Sequence, residues 1–341
     1  MTKNRRIIQK EFSSIDNLTI DSFDIPVVSN DEVLIEVYCA GISFADILAY
    51  EGNYQDSPSL PFVAGLEVSG VIKSIGSNVD SFEPGNEVIA LTKWGGFSEY
   101  ISVNQNFVIK KSKKINHDIG SSMIINYGTA FYTIFERLKC KKNDKVMILG
   151  ASGGIGIATI EICKALGCEV IAVASSIEKL NECKKYGADK LILKDVNKPF
   201  KEILKKNLNE KVDHIIDSIG GSSTMDCLSF LSWEGSLVPM GFASKEIAKI
   251  PANLILLKNI SIVGVFWGPF AKGNKNFNLQ SISKINDFYE QGLIKISKPT
   301  LYSFENFKAA FNSIKERLSL IHISEPTRRY AISYAVLCLK K

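Results

Sequence analysis

The sequence predicts an α/β protein in which a partly open β-barrel precedes a doubly wound Rossmann domain. Residues 1–121 contain short β-like runs separated by Gly, Pro and Asn, a spacing typical of small antiparallel barrels. Residues 122–268 instead alternate apolar strands with helical segments, the pattern of a parallel sheet covered by helices. Residues 269–317 return to helices and short runs. A segment of that size lacks a core of its own, so we expect it to fold back onto the barrel.

Strands are predicted from alternating or continuous apolar runs. In the barrel these runs are Glu32–Tyr38, Phe62–Ile75 and Glu87–Leu91. In the second domain six runs are separated by crossover segments, which predicts a six-stranded doubly wound sheet: Val146–Leu149, Glu169–Ala174, Lys190–Leu193, Val212–Asp217, Gly235–Met240 and Ile260–Phe266.

Composition favours a cytoplasmic globular enzyme. The 341 residues suffice for two domains, with 45% hydrophobic and 23% charged residues. No apolar stretch is long enough to span a membrane, and charged residues interrupt any signal-peptide core near the N-terminus. The seven cysteines lack metal-ligand spacing, which favours buried thiols in a reducing compartment.

The C-terminal residues 318–341 resemble the translation of a sequencing adapter followed by its flow-cell primer. We therefore expect a native sequence that stops near Arg317, with its true ending replaced. Four cations and one acid in this tail account for +3 of the formal net charge of +5, which leaves +2 for residues 1–317. Such a balance gives no reason to expect a nucleic-acid or membrane partner. Genomic reads from an independent library that continued through these codons would contradict the adapter interpretation.

A glycine-rich turn between a strand and a helix is the most informative motif. Val146–Leu149 leads into A-S-G-G-I-G at 151–156, and apolar residues at helical spacing follow. This is the context in which a glycine fingerprint binds a dinucleotide, with the phosphates at the helix N-terminus. We expect Gly153 to admit the pyrophosphate and Gly156 to allow close helix packing, and Ser152, Gly154 and Ile155 complete the turn. Ala151 stands where the strict motif has its first glycine.

The end of the next strand indicates which dinucleotide binds. An NAD site usually has an Asp or Glu about 20 residues past the turn, to hold the ribose hydroxyls. Here Ser175 and Ser176 follow the strand, with Lys179 close behind. Hydroxyls and a cation suit a 2′-phosphate, so the sequence favours NADPH. Glu178 lies nearby, but an acid in the first turn of a helix has a sufficient explanation in the helix dipole.

A series of motifs in order resembles the medium-chain dehydrogenase/reductase superfamily, and within it the zinc-free NADPH:quinone oxidoreductase branch. The resemblance runs from about residue 12 to 317. It rests on the following motifs: C-A-G-I-S-F-A-D-I-L at 39–48, G-N-Y at 52–54, L-P-F-V-A-G-L-E at 60–67, Y-G-T-A-F at 127–131, V-D-H-I-I-D-S-I-G-G at 212–221, G-F-A-S at 241–244, N-L-I-L-L-K-N at 253–259 and G-V-F-W-G at 264–268. It implies a GroES-like barrel of residues 1–121 and 269–317, and an NADPH-binding Rossmann domain of residues 122–268.

The zinc ligands of the superfamily's alcohol dehydrogenases are missing. The segment Gly41–Asp46 has no cysteine, and Leu66 replaces the histidine of the G-H-E motif. We interpret His214, in an apolar strand, as a packed core residue and His117 as solvated. The expected enzyme is metal-free. Without a Lewis acid, a conjugated acceptor such as a quinone or an α,β-unsaturated carbonyl is favoured over a simple ketone.

The resemblance assigns further cofactor-binding residues by position. Ser43 and Thr129 match residues beside the nicotinamide ring and its carboxamide. Lys194 matches a position where some relatives bind the 2′-phosphate with a tyrosine, although a surface lysine is equally compatible. The segments that line the nicotinamide and its ribose are matched by Ile219, Gly241, Phe242, Phe266, Trp267 and Gly268.

Tyr54 is the candidate catalytic residue, as a substrate-side hydroxyl that donates a proton after hydride transfer. A loop tyrosine packed on the barrel is an equal alternative. For Asp46 we favour a helix N-cap over an active-site role, because Ile47–Ala49 continues helically. Trp94 and Trp267 are interpreted either as walls of an aromatic-accepting cleft or as core residues.

The sequence thus predicts a cytoplasmic NADPH-dependent reductase of a small electrophilic acceptor, a quinone or an enone. The family resemblance implies a homodimer through the sheet-edge strand Ile260–Phe266. Two alternatives stay open: a 2-enoyl-thioester reductase, and a catalytically weak NADPH-binding protein with a sensor or structural role.

Overall fold

The computed structural model describes residues 3–12, 14–54, 56, 58–318 and 335–339. Two β-sheet systems organise this part of the chain. One is built mainly from residues before 111 and the other from residues 145–262. None of the described helices is both long and apolar enough to cross a bilayer.

The first system contains the strands of the predicted barrel. These are β1 (Asn4–Gln9), β2 (Thr19–Phe23), β3 (Glu32–Ile42), β4 (Phe62–Val63), β5 (Glu67–Ile75), β6 (Glu87–Leu91), β7 (Tyr100–Asn104) and β8 (Val108–Lys110). A three-stranded sheet has the order β2-β1-β4, and β3 pairs antiparallel with both β5 and β7. The predicted run at 62–75 is divided in two, with a break at 64–66.

One helix lies within the first system, between β3 and β4, and two helices and a π-helical turn connect it to the second. These are α1 (Phe44–Tyr50), α2 (His117–Gly120), α3 (Ile124–Phe131) and the π-helical turn Tyr132–Arg137. Single 3₁₀ turns occur at Ile15–Asn17, Gln105–Phe107, Leu228–Phe230 and Phe304–Asn306.

The second system is the predicted doubly wound sheet. Its strands are β9 (Lys145–Leu149), β10 (Glu169–Ala174), β11 (Lys190–Leu193), β12 (Val212–Asp217), β13 (Leu231–Pro239) and β14 (Ser261–Ile262). The order β11-β10-β9-β12-β13-β14, all parallel, is the Rossmann arrangement and confirms the predicted fold. The last strand is much shorter than the predicted Ile260–Phe266, because only Ser261 and Ile262 pair with β13.

Helices cover both faces of this sheet. They are α4 (Gly154–Leu166), α5 (Ile177–Lys185), α6 (Phe200–Asn207), α7 (Ser222–Cys227), α8 (Ala252–Lys258), α9 (Trp267–Gly273) and α10 (Lys275–Glu290). The strands are buried on both faces, and residues such as Ile148, Leu149 and Ile215 have no exposed surface.

The segment after α10 joins the barrel. It contains β15 (Thr300–Ser303), α11 (Phe307–Leu318) and β16 (Ala335–Cys338), and β16 lies between β15 and β3. The tail predicted to be non-native therefore supplies a strand of the barrel sheet, with Val336 and Leu337 fully buried. The assignment of residues 318–341 to an adapter stays a prediction, as do the domain boundaries.

Candidate active site

The glycine-rich turn connects β9 to α4 as predicted. Gly150, one residue before the motif, makes the left-handed turn with φ of 72°, and its N–H donates to the carbonyl of Val173 on β10. Gly153 caps the helix. A methyl group on Gly156 would lie 2.4 Å from the Ala151 carbonyl oxygen. The requirement for glycine at 156 is therefore steric, because the helix starts directly against the preceding turn.

The remaining residues of the turn surround the helix N-terminus. Ser152 precedes the cap, while Gly154 and Ile155 form the first turn of α4. A methyl group on Gly153 would contact only the Gly150 carbonyl oxygen, at 3.4 Å. The space in front of Gly153 thus accommodates an anionic group at the positive end of the helix dipole.

Ser175, Ser176 and Lys179 lie together after β10, at the same edge of the sheet. Ser176 is the N-cap of α5, and its Oγ accepts the Lys179 N–H at 3.3 Å. The Lys179 Nζ donates to the Ser175 Oγ at 3.3 Å. Ser175 is exposed, so this hydroxyl–cation pair faces outward, with geometry suited to a phosphate.

Lys194 follows β11 and lies next to β10, since its N–H donates to the Ala174 carbonyl. Its ammonium group donates to the Ser223 hydroxyl at 2.6 Å and lies 5.5 Å from the centre of the Phe200 ring. The structure therefore gives Lys194 a role in joining β11 to α7, and a phosphate ligand would have to compete with Ser223.

Asp217 organises the turn after β12 and was not predicted as a site residue. Its buried carboxylate accepts the N–H groups of Ile219 and Gly220 and the Thr224 hydroxyl, at 2.8, 3.1 and 2.5 Å. An acid at the end of a predicted strand, followed by glycines three and four residues later, would have been the available signal. The hydrogen bond from its N–H to Asp217 thus fixes the backbone of Ile219, one of the predicted cofactor-binding residues.

Gly241 and Phe242 follow β13 and lie beside this turn. The Ala243 N–H donates to the Ser218 carbonyl, and a methyl group on Gly241 would meet nothing nearer than that oxygen, at 3.6 Å. Phe242 covers Gly220 and keeps 44% of its surface exposed. The carboxyl ends of β9, β10, β12 and β13 thus bring the predicted cofactor residues to one edge of the sheet.

Phe266, Trp267 and Gly268 form the start of α9, with Phe266 as the N-cap. Phe266 is 53% exposed, whereas Trp267 is buried against Gly128, on which a methyl group would lie 2.5 Å from the indole ring. Trp267 therefore packs on α3 beside Thr129, a core contact that agrees with one of its two interpretations. The Thr129 hydroxyl donates to the Ile125 carbonyl at 2.5 Å, which leaves its oxygen able to accept.

Ser43 and Asp46 shape the barrel side of the site. Ser43, not Asp46, is the N-cap of α1, so the N-cap interpretation of Asp46 was wrong. Asp46 is the third residue of the helix, and its buried carboxylate accepts from the Ser43 N–H, the Ser43 hydroxyl and the Gly65 N–H, at 2.8, 2.7 and 3.0 Å. Burial raises the pKa of Asp46 to about 6, against the opposing effect of these hydrogen bonds. Asp46 thereby ties the Ser43 turn to Gly65.

Tyr54 lies in the loop after α1 and makes an edge contact with Trp94, with ring centroids 6.0 Å apart. Its ring also packs on the barrel core. Burial, followed by the charges of Asp46 and Asp56, raises the pKa of the phenol. Asp56 in turn pairs with Lys272 of α9 at 2.7 Å, which joins the Tyr54 loop to the segment containing Trp267. Tyr54 is thus a protonated phenol at neutral pH, and its catalytic role stays a prediction.

The donor set at the position of the superfamily's catalytic zinc does not fit a metal ion. Leu66 offers no ligand atom, and the Ser43 hydroxyl is engaged with Asp46. Glu67 is buried, and its Oε2 accepts the Ile125 N–H at 3.1 Å. Burial raises the pKa of Glu67 to about 8, so this carboxyl is mostly neutral at pH 7. A neutral carboxyl held by a backbone N–H is a poor ligand for zinc.

The predicted environment of His117 needs correction, and that of His214 needs an addition. His117 is not solvated: its ring lies 2.8 Å from the Ser69 hydroxyl and 4.7 Å from the Tyr38 ring centre, with a side chain only 16% exposed. Burial is the main cause of its lowered pKa. His214 is packed on β12 as predicted, with a side chain 12% exposed, and its Nε2 in addition lies 3.3 Å from the Asp144 carboxylate.

Comparisons with known proteins agree with this architecture. Residues 29–113 match the family model of the alcohol dehydrogenase GroES-like domain, and residues 154–281 match that of the zinc-binding dehydrogenases. The quinone oxidoreductase-like protein 2 of Rattus norvegicus is 31% identical over 304 residues, 89% of this chain and 87% of the relative. The quinone oxidoreductase of Sus scrofa is 31% identical over 244 residues, 71% of this chain and 73% of that protein.

Among solved structures, the Escherichia coli quinone oxidoreductase in complex with NADPH superimposes with a TM-score of 0.85. It is 19% identical, and the match covers 98% of this chain and 100% of the other. The chain belongs to the medium-chain dehydrogenase/reductase superfamily, in its quinone oxidoreductase-like branch, as the sequence motifs predicted.

Proposed function

We propose that this protein is a zinc-independent oxidoreductase that transfers hydride from NADPH to a quinone or an α,β-unsaturated carbonyl compound. The observation that carries the proposal is the Lys179–Ser175 pair beyond β10, at the edge of the sheet that also carries the glycine turn. A hydroxyl and an ammonium group at this point complement a 2′-phosphate and offer no carboxylate to the ribose diol of NADH.

The residues fit an extended dinucleotide. The turn at Ser152, Gly153, Gly154, Ile155 and Gly156 would hold the diphosphate, while Ser175, Ser176, Lys179 and Lys194 would hold the 2′-phosphate. The backbones of Ile219, Gly241 and Phe242, the segment Phe266–Gly268, Ser43 and Thr129 would orient the nicotinamide. Bound there, the nicotinamide supplies the hydride, and the protein provides orientation and excludes water.

The acceptor class follows from the donor set. Reduction of a simple ketone places full negative charge on one oxygen, which zinc dehydrogenases stabilise with a Lewis acid. Leu66 and the neutral Glu67 supply no such ion site. A conjugated acceptor spreads the charge, so one hydrogen-bond donor suffices. The Tyr54 phenol is the proposed donor, because its raised pKa keeps the proton in place until the acceptor develops charge.

A homodimer through the edge of the Rossmann sheet is part of the proposal. The last strand, β14, has an exposed edge, and next to it Leu256 and Leu257 are 79% and 70% exposed. Trp233, 71% exposed, lies beside them, since the Glu234 N–H donates to the Asn259 carbonyl at the end of α8. Exposed large apolar residues clustered at a sheet edge favour association with a second copy. Light scattering of the purified protein should give a dimer, and Leu256→Glu should give a monomer.

Steady-state oxidation of NADPH and NADH against quinones, enones, simple ketones and enoyl thioesters tests the activity. We expect turnover with quinones or enones, a preference for NADPH, and no loss of kcat after chelator treatment. Equal kcat/KM for NADH, or activity that needs zinc, would contradict the proposal. Turnover restricted to enoyl thioesters would reassign the acceptor. Stoichiometric NADPH binding without turnover on any acceptor would instead identify a binding protein.

A further inference from the structure

A second chemically distinct cluster lies at the opposite, amino-terminal edge of the Rossmann sheet. It consists of Cys140 and Asp144, in the loop before β9, and His214 on β12. One ligand atom from each of these residues lies within 4.8 Å of the other two. In the described part of the chain this is the one group of three or more His, Cys, Asp or Glu side chains that meets such a criterion.

The spacing of two members already matches ligands on one ion. The His214 Nε2 and the Asp144 Oδ2 are 3.3 Å apart. Two nitrogen or oxygen ligands on a tetrahedral zinc ion, each about 2.1 Å from the metal, are separated by about 3.4 Å. A thiolate ligand would lie about 3.6 Å from each of them. The Cys140 sulfur lies within 4.8 Å of a ligand atom of each of the other two residues, so it is at most about 1.2 Å beyond this range.

The backbone around the cluster is held in place. The Asp144 Oδ2 accepts the Lys141 N–H at 2.7 Å, and the Cys140 N–H donates to the Ile134 carbonyl. The Glu169 N–H donates to the Asp144 carbonyl, which fixes the loop against β10. His214 stands opposite Val146 in the pairing of β12 with β9. Because these hydrogen bonds hold the loop and His214 lies on a central strand, the three ligands need little reorganisation to bind an ion.

The His214 Nδ1 is buried and has no hydrogen-bond partner among the described residues. Asp144, by contrast, keeps 24% of its side chain exposed, so an ion can reach the cluster from solvent. One thiolate, one imidazole and one carboxylate form a borderline-soft donor set, which suits Zn²⁺ and Co²⁺ better than Mg²⁺ or Ca²⁺.

We propose that Cys140, Asp144 and His214 bind a divalent ion of the zinc class, with water as the fourth ligand, and so clamp the 140–144 loop to β12. The site is independent of the proposed hydride transfer. The five-residue strand β9, about 16 Å long, separates it from the glycine turn.

Co²⁺ added to chelator-treated protein is the direct probe, because a tetrahedral cobalt–thiolate site has a characteristic absorption spectrum. We expect one Co²⁺ per chain with thiolate-to-metal charge transfer, which Zn²⁺ abolishes by displacement. Zn²⁺ should also raise the Tm. Loss of one ligand in Cys140→Ser or His214→Asn should weaken Co²⁺ binding by about 100-fold or more.

Matched controls separate this site from other thiols. Cys39 and Cys338 have sulfurs 3.6 Å apart and offer an alternative soft-metal site, so Cys39→Ser must retain the spectrum. Cys227→Ser replaces another buried thiol elsewhere and should also retain it. If Cys140→Ser fails to fold, Asp144→Asn, which keeps the acceptor for Lys141, serves instead. A thiolate spectrum that persists in Cys140→Ser, or octahedral Co²⁺ without thiolate absorption in the wild type, would overturn the proposal. None of these experiments measures quinone reduction. A negative result for the metal site therefore leaves the proposed hydride transfer testable, and a negative result for hydride transfer leaves the metal site testable.

Discussion

The ammonium group of Lys179 lies 3.3 Å from the Ser175 hydroxyl. Ser175 directly follows β10, and Lys179 lies in the first turn of the next helix, α5. Ser176 caps the same helix and fixes the approach of both residues. A cation and hydroxyls thus occupy the end of the strand at which NAD-binding domains place a carboxylate. This arrangement accounts for the expected selectivity between the two nicotinamide cofactors.

Lys179→Met should raise KM for NADPH by about tenfold, equivalent to about 1.4 kcal/mol, and leave KM for NADH nearly unchanged. The reason is that the partly buried lysine is proposed to contact the 2′-phosphate, a group that NADH lacks. Steady-state kinetics with both cofactors measure the effect. Lys184→Met removes the same charge from an exposed position on α5 and is the control. Equal losses with NADPH and NADH would show that Lys179 acts on the fold and not on the phosphate.

The two central glycines of the turn should respond differently to alanine. Gly156→Ala forces a methyl group to within 2.4 Å of a backbone oxygen, so we expect a loss of about 1–3 kcal/mol in the free energy of unfolding. Gly153→Ala meets only one atom at 3.4 Å and should fold normally, but it should weaken NADPH binding because the methyl group enters the anion's space. Urea unfolding and cofactor titration measure the two effects. Similar stabilities of the two variants would contradict the steric argument.

Glu67 should make stability fall as the pH rises through the neutral range. Burial is the main cause that raises its pKa from the ordinary 4.5 to about 8. Between these values the unfolded chain has released the proton and the folded chain keeps it, so stability is greatest below 4.5 and declines toward 8. The slope from one such group is at most about 1.4 kcal/mol per pH unit.

Glu67→Gln removes this titration while keeping an acceptor for the Ile125 N–H. The variant should lose part of the decline in unfolding free energy between pH 5 and pH 8, relative to wild type. Glu83→Gln alters an exposed carboxyl and should leave the slope unchanged. A decline of equal steepness in Glu67→Gln would mean that Glu67 is ionised in the folded protein.

The sequence predicted most of the strands and the edge of the sheet at which the proposed cofactor-binding residues collect. Strand runs and glycine spacing are local signals, and β10, β11 and β12 were predicted to the residue. Contacts between residues far apart in the chain leave no comparable local pattern in the sequence. The burial of His117 against Ser69 depends on the pairing of distant elements, as does the approach of Cys140 and Asp144 to His214. The N-cap at Ser43 was missed because Asp and Ser are both good caps, and their three-residue spacing allowed the roles to be exchanged.

Leu337 provides the test of the C-terminal strand. β16 fills the gap between β3 and β15, and Ala335, Val336 and Leu337 are almost completely buried there. Leu337→Ala should therefore cost about 2–5 kcal/mol in the free energy of unfolding, while Leu339→Ala, at the partly exposed end of the strand, should cost less. A chain ended after Leu318 should expose the edges of β3 and β15 and lose solubility. If residues 318–341 replace a native ending, a chain carrying that ending should exceed the present one in Tm. Unchanged stability in Leu337→Ala would show that this strand does not pair with β3 in solution.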